Sequence, residues 1–132
     1  MVSIFTKIIR KEIPSYKIHE NEDFYAFLDI YPNVIGHTLV IPKKEVDKLF
    51  DLEDELYVGL MLYAKKIATA IEQVVDCKRV GMSVVGLDVP HAHVHLIPIN
   101  EVADISFQSR LKPTEEEFKQ TAKLIASAFN KL

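Results

Sequence analysis

The stretch His91-Ala92-His93-Val94-His95-Leu96-Ile97-Pro98 decides the fold. Three of the chain's five histidines fall here, alternating with Ala92, Val94 and Leu96. A period of two is that of a β-strand, so the imidazoles should share one face and the apolar residues the other. At a strand's rise, neighbouring imidazoles stand about 6.6 Å apart and the outer pair about 13 Å. Such a row cannot close around one metal ion. It can line a groove long enough for a phosphate and its neighbours. We expect the strand over 91–99.

Working outward, Gly86-Leu87-Asp88-Val89-Pro90 turns the chain into this strand, and 79–85 reads as the strand before it. Further upstream, Leu56, Leu60, Tyr63, Ile67, Ile71 and Val74 recur at helical steps. They predict one long amphipathic helix over roughly 52–75, started by Asp51 with Asp54 three later. His37 to Ile41 is an expected strand closed by Pro42. Residues 15–20 and 24–30 form a hairpin turned at Asn21-Glu22-Asp23. Asp29 closes its second strand, a carboxylate inside an apolar segment; a turn aspartate bonded to backbone amides is its bland explanation. Ser3 can cap a short helix over 4–11 with Ile4, Phe5, Ile8 and Ile9 as its stripe, ended by Pro14. Thr114 with Glu117 marks the start of a last helix, with Phe118, Ala122, Ile125 and Phe129 on one face. The expected architecture is α+β: an antiparallel sheet of about five strands packed with one long helix, a short N-terminal helix and a C-terminal helix, in a single domain over 1–132.

Composition sets limits. The 132 residues are 48% hydrophobic and 27% charged, enough for one domain with a core. A net charge of -3, with both signs mixed along the chain, predicts no nucleic-acid partner and no anionic membrane surface. The single cysteine, Cys77, excludes an internal disulfide framework and fits a reducing compartment. The first apolar run is too short for a signal peptide, and none is long enough to span a bilayer, so the expected location is the cytoplasm.

Three chemistries suit the histidine row. It can be structural, as a lone His19 would be. It can be metal-binding, with the His-x-His pair joined by His37 or Asp29. Or it can be nucleophilic: a neutral imidazole attacks phosphorus when one ring nitrogen is free and the other is held as a donor. His93, with a neighbour on each side, is then the natural nucleophile, and the flanking rings bind phosphate oxygens and protonate a leaving group.

The stretch 91–97 resembles the His-φ-His-φ-His-φ-φ signature (φ apolar) of the histidine triad (HIT) superfamily. Ile4-Phe5-x-Lys7-Ile8-Ile9-x-x-Glu12-Ile13-Pro14 is similar to the family's opening helix. Phe27-Leu28-Asp29-Ile30-x-Pro32 is similar to its ribose-binding strand, and Gly36 to Lys43 to the segment that follows. The resemblance implies a hydrolase of nucleoside 5′-phosphoryl-X substrates, with adenosine as nucleoside, acting through a nucleotidyl-histidine intermediate. It is nearest in pattern to the phosphoramidase-like branch. His93 would attack the α-phosphorus, His95 assist the leaving group, and His91 support the nucleophile with His37 in a hydrogen-bond relay behind. Asp29 would take the ribose hydroxyls, and Phe5, Ile8, Phe27, Leu28 and Ile30 would line the base slot. The family's habit implies a homodimer, and the chemistry needs neither cofactor nor metal. The alternatives are a nucleotide-binding or sensing module with little turnover and a metal-dependent His-x-His enzyme.

Three departures stand out. Leu87 and Asp88 occupy the places where many members carry a Gln-bearing phosphate segment, so phosphate binding should lean on the histidines, backbone amides and Ser83. Ser3, Thr6 and Glu45 stand where some bacterial members place zinc ligands, so no structural zinc is expected. The arginine-bearing segment that follows the triad in some branches is replaced by Pro98-Ile99-Asn100-Glu101.

Overall fold

A computed structural model describes residues 1–132. Five strands form one antiparallel sheet: β1 (Lys17–Glu20), β2 (Phe24–Leu28), β3 (Thr38–Pro42), β4 (Arg79–Ser83) and β5 (Val94–Ile99). Their order is β1-β2-β3-β5-β4, so β4 is an edge. Three helices pack with it: α1 (Ile4–Ile9), α2 (Asp54–Val74) and α3 (Glu115–Asn130). The fold class is α+β, as the patterning implies.

Alternation along the strands sorts the sheet into two buried faces. Phe24, Ala26, Leu28, Val40, Val94 and Leu96 join α2 and α3 in the main core. Tyr25, Phe27, Leu39 and Ile41 face the other way and are covered by Phe5 and Ile8 of α1. This double cover explains why β2 and β3 are buried along their whole length. Hairpin β1–β2 is turned by Asn21, whose Oδ1 accepts from the amides of Asp23 and Phe24.

Element types match expectation; several ends do not. β5 begins at Val94, so His91, Ala92 and His93 precede the strand rather than open it. All three are buried. β2 stops at Leu28, leaving Asp29 just beyond its end, and α1 stops at Ile9, before Lys11 takes a left-handed φ of 64°. Asp51 does not cap the long helix: a 3-10 turn at Leu49–Asp51 intervenes and Glu53 is the N-cap. A second 3-10 turn at Val102–Ile105 carried no periodic signal in the sequence. No helix is long and apolar enough to cross a membrane.

Candidate active site

Loop 86–90, the first residues of α1 and the end of β2 surround a cleft of about 460 Å³. Phe5, Ile8, Phe27, Leu28 and Ile30 line it, with Asp29 at the polar end beside His93 and His95. His91 and His37 lie behind, fully buried. Ser83 pairs in register with His95 on β4 but does not line the cleft, so the expectation that it holds phosphate lacks the required placement. His19 is apart from all this, bonded through Nδ1 to Tyr63 and packed on Phe129.

Donor bookkeeping fixes the tautomer of every buried imidazole. The Asn33 amide can only donate, so His37 Nδ1 accepts at 3.0 Å and its proton sits on Nε2. That Nε2–H donates to His95 Nδ1 at 2.9 Å, which leaves the His95 proton on Nε2. His91 Nε2–H donates to the Pro42 carbonyl at 2.8 Å, and its Nδ1 accepts from the Ser3 hydroxyl at 2.8 Å. His93 Nδ1–H donates to the backbone carbonyl of His91 at 2.7 Å. In the neutral ring its Nε2 then carries a lone pair, and that atom is buried with no hydrogen-bond partner. Phe5 sets its ring edge-to-face against His93 at 5.0 Å between centroids. Position 91 thus supports 93 through its main chain, and His37 bonds to His95 rather than standing behind His91.

Burial favours the neutral form of His37, His91 and His95. It pulls His37 down to about 3 and His95 down to about 4, with neighbouring imidazoles adding to the effect, and lowers His91 as well. Burial raises Asp29, against the Tyr31 amide that donates to its Oδ1 at 2.8 Å. Its Oδ2 stands 3.5 Å from His37 Nε2.

Asp29, His37 and His95 offer ligand atoms all within 4.8 Å of one another. An ion there would have to break the His37–His95 hydrogen bond, since His37 Nδ1 is already occupied by the Asn33 amide. The donor set fits a proton relay better than a metal.

Two features escaped the sequence reading. Arg110 enters the cleft from the irregular segment before α3, its guanidinium donating to the Tyr31 carbonyl and lying 5.0 Å over the Phe107 ring. Phe107 in turn packs on His95 at 4.8 Å. Neither residue carries a periodic signal, so only the folded chain reveals them. At the other lip, Asp88 Oδ1 lies 3.2 Å from His93 Nε2 without hydrogen-bonding to it.

Fold and site together describe an α+β protein that holds hydrogen-bonded histidines at the head of an apolar cleft. The chain belongs to the HIT domain family, whose model matches residues 10–102. An uncharacterized HIT-like protein of Borreliella burgdorferi is 35% identical over 132 residues, 93% of this chain and 95% of that one. Adenosine 5′-monophosphoramidase HNT1 of Saccharomyces cerevisiae is 43% identical over 96 residues; the match covers 72% of this chain and 61% of the yeast protein. The crystal structure of a Hit-like protein from Bartonella henselae, 34% identical, superposes with a TM-score of 0.84 over 96% of this chain and 95% of that one.

Proposed function

We propose that the protein hydrolyses nucleoside 5′-phosphoryl-X compounds, adenosine phosphoramidates in particular, with His93 as nucleophile. The observation that carries this is the unpartnered Nε2 lone pair of a histidine whose other nitrogen is locked as a donor. Kinship with a yeast adenosine 5′-monophosphoramidase supports the substrate class.

The steps follow from the tautomers. The His93 Nε2 lone pair attacks the α-phosphorus and a P–N bond forms. The P–X bond breaks, and X leaves with a proton from Nε2 of His95, whose ring the negative phosphoryl group draws into the imidazolium form and which returns to neutral on giving it up. Water then attacks the nucleotidyl-histidine and gives its proton to His95, the P–N bond breaks, and nucleoside monophosphate departs. In the resting site His37 orients the His95 ring by donating to its Nδ1. Asp29 Oδ2 accepts from the ribose hydroxyls, and the apolar wall of Phe5, Ile8 and Phe27 holds the base. A second copy would add to the sheet at edge β4, where Met82 is exposed, as are Val85 just past the strand and Val58 and Leu62 of α2.

The test is adenosine 5′-phosphoramidate turnover. Wild type should release AMP, and His93→Ala should release none above background while still binding AMP. Unchanged turnover in that variant would remove His93 from the nucleophile's role. A binding module with little turnover is the second reading, favoured by Leu87 and Asp88 at the mouth; it predicts AMP binding with no labelled His93 adduct.

A further inference from the structure

We propose that Asp88 sets the charge this cleft accepts on the α-phosphoryl group, admitting a single negative charge and penalising two. The inference rests on the nucleotide reading above and narrows it.

Asp88 Oδ1 is 3.2 Å from His93 Nε2, closer than a phosphorus atom could stand without displacing it. Its carboxylate is 70% exposed and makes no hydrogen bond with the ring. It is carried by a turn whose Gly86 takes φ +77°, where an added Cβ would meet nothing within 4 Å, so the backbone conformation itself demands glycine there. The next residue, Leu87, has no polar group to offer a phosphate and is 92% exposed.

A substrate must therefore move the Asp88 side chain aside, and the carboxylate remains a neighbour of the phosphoryl oxygens. Of the charged groups lining the cleft, Asp29 and Asp88 are acidic and Arg110 alone is basic. Arg110 is held toward the Tyr31 carbonyl and the Phe107 ring, and the histidines contribute no positive charge while neutral. Repulsion between like charges at this range grows with each charge added to the phosphate. A phosphoramidate or phosphodiester carries one negative charge at neutral pH. A phosphate monoester, the hydrolysis product, carries nearly two, its second pKa lying near about 6. Asp88 thus makes the product a weaker ligand than the substrate.

Calorimetric titration at pH 7.5 with adenosine, AMP and the methyl ester of AMP tests this in wild type, Asp88→Asn and Asp88→Ser. In wild type the singly charged ester should bind as tightly as AMP or tighter. Both variants should raise AMP affinity about tenfold, equivalent to about 1.4 kcal/mol, with the ester moving less and adenosine unchanged. An AMP-to-ester affinity ratio that is the same in all three proteins overturns the inference and leaves the nucleotide reading standing. Failure of all three compounds to bind any of the proteins overturns both.

Discussion

His95 and His37 divide one task between two rings. Burial holds both neutral, and the Asn33 amide decides which nitrogen of each carries the proton. Replacing His95 by Ala should therefore slow hydrolysis of substrates with amine leaving groups by about 10²–10⁴-fold. A leaving group that departs without a proton should be nearly indifferent to the change; equal losses for both kinds of substrate would contradict the assignment. The same rings make stability depend on pH. Their folded pKa values lie below the ordinary 6.5, so between pH 6.5 and about 4 the unfolded chain takes up protons that the folded chain refuses. Stability is fully present above 6.5 and falls with acid, by about 1.4 kcal/mol per pH unit for each ring still neutral. Urea midpoints measured down that range should decline, and decline less steeply in His37→Gln. At this scale the sequence was informative about which residues gather and silent about their wiring. The triad, His37 and Asp29 were legible from spacing and family likeness, but that His37 serves His95 depends on a cross-strand register no pattern encodes. Ser83 was misplaced for a related reason: a hydroxyl near the triad in sequence need not reach its cleft.

Elements were legible wherever periodicity is strong and caps are local. The Thr114–Glu117 capping box starts α3 at the expected residue, with the Thr114 side chain accepting from the Glu117 amide at 3.1 Å. Thr114→Ala should cost about 1 kcal/mol in urea unfolding. A change under about 0.3 kcal/mol would mean that tertiary packing of Ala122, Ile125 and Phe129, rather than the cap, sets that end. The start of α2 was misread because Asp51 looks like a cap in sequence while the chain spends it in a 3-10 turn. The segment from 100 to 113 was not legible at all. It has neither helical nor strand period, yet it delivers Phe107 and Arg110 to the site.

At the scale of the molecule, α1 has to be fastened over the sheet or the cleft loses a wall. The fastening is a set of hydrogen bonds among Ser3, Thr6, Glu45 and His91. Glu45 Oε1 accepts from the Ser3 amide and the Thr6 hydroxyl, both at 2.6 Å, and the Ser3 hydroxyl reaches His91. Those donors hold the Glu45 carboxyl down at about 2. A depressed carboxylate stabilises above its unfolded pKa and loses that contribution as pH falls through the folded one, so Glu45→Gln should narrow the gap between neutral and acid stability. Assembly is testable here too. Leu62→Glu or Met82→Lys should lower the sedimentation coefficient if those exposed apolar residues of α2 and β4 join two copies, and should leave it unchanged otherwise. The hydroxyl-and-carboxylate clasp has one more outcome. Oxygen donors do not rust: peroxide and mercurials have no purchase on serine, threonine and glutamate. Cys77, the one thiol, stands off from the clasp and is kept protonated by burial and by the carboxylates of Glu72 and Asp76. Peroxide treatment should therefore leave this clasp fastened.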